Sequence, residues 1–153
     1  MFEFESICGF AASVPARPRV RSVAVKTILV LEDEPLLMSL LCCVLRRHGY
    51  TVLEAVSSEQ AVQHFQESGR QIDLLLADVS LPGISGVEVA WLLRSELPDL
   101  RVILMSGYPS NSWDARDSGF LQALGSDLVT ILLKPFVPQS LLQTINGLMQ
   151  RAA

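Results

Sequence analysis

The sequence predicts a doubly wound α/β fold: five parallel strands in the order 2-1-3-4-5, with helices on both faces of the sheet. Three observations carry that prediction. Short apolar runs alternate with helix-patterned stretches along most of the chain, the signature of βαβ units with right-handed crossovers. The run that leads into Asp78 is almost wholly apolar, as expected of a strand buried on both faces. Four of the runs are each followed at once by polar functional groups, namely Glu32-Asp33, Asp78, Ser106 and Lys134. In an open parallel sheet such groups gather beyond the carboxyl ends of the strands, where ligands bind.

The elements follow in chain order. Thr27 to Leu31 is the first strand. Pro35 then sits where a helix tolerates it, in the first turn. Leu36, Leu37, Leu40, Leu41, Val44 and Leu45 form a stripe of period 3.6, expected to be the helix's apolar face. Arg46, Arg47 and His48 suit the negative end of that helix and Gly49 its C′ position. Tyr50 to Val56 reads as strand two. Ser57 or Ser58 caps a helix carrying Ala61, Val62 and Phe65, closed by Gly69. Ile72 to Val79 is strand three. A loop through Leu81-Pro82-Gly83-Ile84-Ser85-Gly86 leads to a helix over Val87 to Leu97, with Val89, Ala90, Leu92 and Leu93 inside. Arg101 to Met105 is strand four, Asn111 to Leu124 holds a helix, Leu128 to Leu133 is strand five, and Pro138 to Arg151 is the last helix. Five units of this kind give the flavodoxin-like arrangement, in which strands one and three flank the switch point.

With 153 residues, half of them hydrophobic and 18% charged, the chain is long enough for one well-packed domain. Residues 1–25, rich in Pro and Arg, read as a flexible tail, and 26–153 as the folded domain. Charge is uneven: four basic and two acidic residues lie up to Lys26, eight and fourteen beyond it. An acidic body is poorly suited to nucleic acid, so no direct DNA binding is expected. Three cysteines, two of them adjacent, fit neither a disulfide framework nor a zinc site. No apolar run reaches the ~18 residues of a membrane span. A cytoplasmic protein without membrane contact is expected.

Singly, each polar group has a plain explanation. Glu32-Asp33-Glu34 is an ordinary acidic loop, Lys134-Pro135 a strand end, and Ser106-Gly107 a turn. Together they point to phosphoryl chemistry. Carboxylates crowded within a few ångströms raise one another's pKa unless a cation intervenes. Mg²⁺ takes oxygen ligands, commonly one or two carboxylates with waters and phosphate oxygens. Asp33 and Asp78 suit direct ligation, Glu32 a coordinated water, and the Ser80 carbonyl the remaining protein ligand. Lys134 and Ser106 can each donate to a phosphoryl group. An Asp carboxylate can itself attack phosphorus to give an acyl phosphate. No Gly-rich nucleotide loop of the Lys-Ser/Thr type is present, so ATP is not expected to bind directly.

These residues resemble the response-regulator receiver domain of two-component signalling. The resemblance runs from about Lys26 to Arg151. It rests on Ile28-Leu29-Val30-Leu31-Glu32-Asp33-Glu34, Asp73 to Gly83 around Asp78, Met105-Ser106-Gly107-Tyr108 and Leu133-Lys134-Pro135-Phe136. It implies that Asp78 is the phosphoacceptor, that Glu32 and Asp33 are the acidic metal pair, that Ser106 is the switch hydroxyl, and that Lys134 contacts the phosphoryl group. It also implies a cis Lys134–Pro135 bond, Mg²⁺ as cofactor, and a histidine kinase or histidine phosphotransfer protein as donor. Such a domain is no general enzyme; it catalyses only its own aspartyl phosphorylation and dephosphorylation. Met-Ser-Gly-Tyr further resembles receivers associated with hybrid kinases.

Two departures stand out. Ile131 occupies the position, three before the lysine, where the family often carries an aromatic switch residue. The stretch Asp114 to Val129 follows no familiar pattern. With only about a dozen residues after Pro138, a single-domain receiver acting on a downstream protein is expected. The rival is a degenerate receiver that binds partners without phosphorylation; Ile131 favours it, and Asp33, Asp78 and Lys134 oppose it. A haloacid-dehalogenase-type phosphatase would need Asp-x-Asp after strand one, and a flavodoxin a Ser/Thr-rich loop there; neither is present. Tyr108 either gates the phosphoryl group or covers an edge. His48 and His64 are expected on the surface.

Overall fold

The computed structural model describes residues 24–151; most of the 1–25 tail lies outside the described residues. The element order is β1 (Thr27–Leu31), α1 (Pro35–Arg47), β2 (Thr51–Ala55), α2 (Ser58–Glu67), β3 (Leu74–Asp78), α3 (Gly86–Glu96), β4 (Arg101–Ser106), a 3₁₀ turn (Ser110–Ser112), α4 (Ala115–Leu124), β5 (Val129–Leu133) and α5 (Pro138–Met149). The strands form one sheet in the order β2-β1-β3-β4-β5, every pairing parallel. The predicted fold class and strand order are therefore observed.

Strand periodicity divides the core into two layers. Ile28, Val30, Leu74, Leu76, Ile103 and Met105 face α1 and α5 and meet Leu41, Leu45, Leu141 and Ile145. Leu29, Leu31, Leu75, Ala77, Val102 and Leu104 face the other way, onto Phe65, Val89, Leu93 and Leu124 of α2, α3 and α4. The three central strands are buried on both sides, whereas β2 and β5 at the edges are half-exposed. That explains why Leu74-Leu75-Leu76-Ala77 carries no polar residue whereas Thr51–Ala55 includes Thr51 and Glu54, both exposed.

Local signals set the helix ends. Glu34 is the N-cap of α1, its carboxylate accepting from the Leu36 and Leu37 amides at 3.1 and 2.7 Å. Ser57, not Ser58, caps α2 by accepting from the Gln60 amide; Ser58 is buried and donates to the Ile84 carbonyl. Gly49 follows α1 with φ of +84°, the left-handed conformation expected at its C′ position.

Three expectations need correction. The inward face of α1 is Met38, Leu41, Cys42 and Leu45, while Leu36 and Leu40 are 80% and 50% exposed. Two apolar stripes overlap on this helix; the second, with Leu37 and Val44, lines a groove against Pro135, Phe136 and Pro138. On α3, Leu92 is exposed, because Val89, Ala90 and Leu93 already make up the inward face. The helix expected from Asn111 begins only at Ala115, where Asp114 caps it by accepting from the Asp117 amide. Elsewhere the strand and helix bounds differ from expectation by a residue or two at the ends. His48 is exposed and His64 half-buried, a ring nitrogen 2.9 Å from the Glu54 carbonyl.

The two α1 stripes can be told apart by stability. Leu41→Ala, which empties a buried site, should cost about 2–5 kcal/mol in denaturant unfolding, whereas Leu40→Gln should stay within about 0.5 kcal/mol. Equal losses would mean that Leu40 belongs to the core.

Candidate functional site

The carboxyl ends of β1, β3, β4 and β5 meet at one end of the sheet. Asp78 is the last residue of β3 and only 6% exposed. Glu32 directly follows β1 and is 1% exposed, its amide donating to the Ala55 carbonyl at the end of β2. Lys134 directly follows β5 and reaches over β4. Its Nζ lies 3.0 Å from Asp78 Oδ2 and 3.2 Å from Glu32 Oε2. The free oxygens of both acids accept backbone amides: Asp78 Oδ1 from Ser80 at 3.1 Å and Glu32 Oε1 from Glu34 at 3.0 Å. Asp33 is exposed at the rim.

Carboxylate oxygens of Glu32, Asp33 and Asp78 lie within 4.8 Å of one another. Glu34 is absent from this group because its carboxylate caps α1. Ser80 enters through its amide, on Asp78. Two carboxylates share one ammonium and a third stands beside them, so the site carries surplus negative charge. Burial pushes the Glu32 carboxyl above its ordinary range; the Asp78 charge adds to this, while the Glu34 amide and Lys134 oppose it. For Lys134, burial acts to lower the pKa. The hydrogen bond and charge of Asp78, with Glu32, outweigh it and leave the ammonium raised. Three oxygen donors, with neither nitrogen nor sulfur among them, fit a hard divalent cation of the Mg²⁺ type.

Ser106 ends β4 and is 1% exposed. Its hydroxyl donates to the Tyr108 carbonyl at 2.7 Å and accepts from the Tyr108 amide at 3.1 Å and from Trp113 Nε1 at 3.2 Å. Tyr108 therefore meets Ser106 through its backbone, and the residue as a whole is 68% exposed. The Lys134 amide donates to the Ser106 carbonyl, which ties the lysine to the end of β4. Lys134–Pro135 is cis. Ile131 pairs with Leu104 and packs in the layer of α2, α3 and α4.

The expected site residues Glu32, Asp33, Asp78, Ser80, Ser106 and Lys134 thus lie at this end of the sheet, with Ser106 turned toward its own loop. Two contributors were not legible in advance. Trp113 lies seven residues past Ser106, in a stretch without periodicity. Gly86 is the other: a Cβ there would overlap the Asp78 carbonyl oxygen and come within 2.8 Å of its carbon. Ser85 before it, the N-cap of α3, was the available hint that a helix starts there.

A parallel five-stranded α/β domain with an acidic pocket and a lysine at its carboxyl edge has the layout of a receiver-type domain. The chain matches the model of the response regulator receiver domain over residues 28–146 and belongs to that family. Among relatives, it is 34% identical over 128 residues to the phosphate regulon transcriptional regulatory protein PhoB of Pseudomonas aeruginosa, a match covering 82% of this chain and 52% of that protein. It is 30% identical to the sensor kinase CckA of Brucella abortus over 82% of this chain and 13% of the kinase. The chain thus spans about half the length, or less, of these curated relatives. Among solved structures, the receiver domain of hybrid histidine kinase CckA superposes with a TM-score of 0.66 at 32% identity, covering 81% of this chain and 99% of that one. The response regulator TrrA of Thermotoga maritima, solved with Mg²⁺ and BeF, gives the same TM-score at 31% identity and the same coverage. Among the described residues, no helix is long and apolar enough to cross a membrane.

Two variants probe this geometry. Gly86→Ala should lower stability by about 1–3 kcal/mol, the usual cost of overpacking, because the overlap is with backbone; wild-type stability would show that α3 shifts freely. Without divalent cation, Asp33→Asn should raise Tm by roughly 1–4 °C by relieving like charge. It should also remove most of the Tm gain that Mg²⁺ gives the wild type; an undiminished gain would place the cation elsewhere.

Proposed function

We propose that this receiver domain accepts a phosphoryl group on Asp78 from a histidine kinase or histidine phosphotransfer protein and signals through contacts with another protein. The observation that carries the reading is Asp78 itself, a buried carboxylate at the end of the central strand with an ammonium 3.0 Å away and two further carboxylates beside it. In the transfer, an Asp78 carboxylate oxygen forms the new P–O bond as the P–N bond of the donor's phosphoimidazole breaks, the electron pair returning to the ring nitrogen. Lys134 exchanges its contact with Asp78 for one with a phosphoryl oxygen, which its flexible stem allows. Ser106 donates to another of those oxygens. Asp33, Asp78 and the Ser80 carbonyl would hold Mg²⁺, with Glu32 orienting a coordinated water. When bound, the cation supplies charge neutralisation for the phosphoryl oxygens.

The excess of acidic over basic residues beyond Lys26 supports an output through protein rather than nucleic acid. The same chemistry supports the domain's being no general enzyme and working in the cytoplasm, where kinases of this kind present phosphohistidine. The assignment of residues 26–153 to one receiver domain belongs to the same reading.

Incubation with Mg²⁺ and acetyl phosphate should add one phosphoryl group by intact mass. Asp78→Asn should add none, and Lys134→Ala should react on the order of 100-fold more slowly, the usual effect of removing a charge-stabilising donor. If the wild type stays unmodified with Mg²⁺ present, the domain is a phosphorylation-independent interaction module instead.

A further inference from the structure

We propose that Trp113, rather than a residue on β5, is the positioning residue that couples Ser106 to α4; the inference rests on the phosphoacceptor reading of Asp78. A serine hydroxyl has one proton and two lone pairs. In Ser106 the proton is donated to the Tyr108 carbonyl and the lone pairs accept from the Tyr108 amide and the Trp113 indole. While that set holds, Ser106 has no proton for a group on Asp78. Donating to a phosphoryl oxygen requires it to release the Tyr108 carbonyl and turn toward Asp78, and the indole then loses an acceptor.

The indole has somewhere to go. Its N–H is shared between Ser106 Oγ and the Tyr108 carbonyl, each at 3.2 Å. When Ser106 leaves, that carbonyl loses one donor and can take the indole proton alone. The indole N–H thus keeps an acceptor in both arrangements, and the Tyr108 amide, which loses the Ser106 hydroxyl, belongs to an exposed residue and can turn to water, so this is a two-position element.

Movement of the ring leads directly to α4. Trp113 is half-buried against the layer formed by α2, α3 and α4, and the next residue, Asp114, is the N-cap of α4. Asp114 accepts from the Asp117 amide at 2.8 Å, and the Asp117 carboxylate in turn accepts from the Ser85 hydroxyl at the start of α3. Of the residues of α4, only Leu124 is buried, and the first turns meet α3 through polar contacts, Asp117 with Ser85 and Arg116 with Glu88. Ile131 has no polar side-chain atom with which to bond the Ser106 hydroxyl.

The chain has two tryptophans, so Trp91→Phe leaves Trp113 as the single indole. In that protein, with Mg²⁺, acetyl phosphate should modify Asp78 by intact mass. Beryllofluoride should move the Trp113 indole N–H resonance, with a change in Trp emission. With Ser106→Ala added, modification should slow and the beryllofluoride-induced shift should vanish. In the otherwise wild-type protein, Trp113→Phe keeps the ring bulk but removes the donor that takes over the Tyr108 carbonyl when Ser106 turns to Asp78. It should slow Asp78 phosphorylation about 3- to 10-fold, the worth of one ordinary hydrogen bond. A purely structural role would lower Tm and leave that rate unchanged. If Asp78 is modified while the indole resonance stays fixed, or shifts equally without the Ser106 hydroxyl, the coupling is wrong and the phosphoacceptor reading stands. If Asp78 is not modified, both fall.

Discussion

The Lys134 ammonium lies between Asp78 and Glu32, and the functional end of the domain is organised around that contact. It joins the chain after β5 to β3 and β1 across the intervening β4. Its distances, 3.0 and 3.2 Å, are those of charge-assisted hydrogen bonds. Such a group adds little net stability, because taking the charges out of water costs about as much as their attraction returns. Each charge nevertheless needs the others, since a buried ion left alone is far more costly than the pair. The three groups are thereby held in register while the site keeps more negative charge than one ammonium can balance. That surplus is what makes the pocket chemically suited to a cation.

The rest of the fold keeps those groups at one edge. Parallel strands in the order β2-β1-β3-β4-β5 point every carboxyl end the same way, and two apolar layers clamp the sheet from both faces. Close packing tightens the frame locally. Gly86 lets α3 lie against the backbone of Asp78. Glu34 spends its carboxylate on the first turn of α1 and so stays out of the acidic cluster. Three neighbouring acids in the sequence therefore do three different things: Glu32 is buried with the lysine, Asp33 stands at the rim, and Glu34 caps a helix.

The legible parts were those in which local pattern and tertiary role coincide. β3 is apolar on both faces because both faces are covered, so its place near the sheet centre could be read directly. Gly49, Ser57 and Pro35 announced helix ends through their own backbone or side-chain chemistry. Helix α1 misled because two leucine stripes overlap on it, and periodicity cannot say which one meets the sheet. The start of α4 misled for a related reason. A 3₁₀ turn and an Asp cap carry the chain into the helix, with no apolar repeat to mark the boundary.

By itself the sequence determined the class of fold, the strand order and the identity of the polar groups at the strand ends. Those depend on period, burial pattern and chain order, all of which are local or topological. Only the tertiary structure decided which oxygens face the lysine, that Gly86 must lie against Asp78, and that the Ser106 hydroxyl is held by an indole seven residues away. Each of these is a contact between groups brought together by packing rather than by spacing, and side-chain direction in a packed core depends on neighbours from several elements at once.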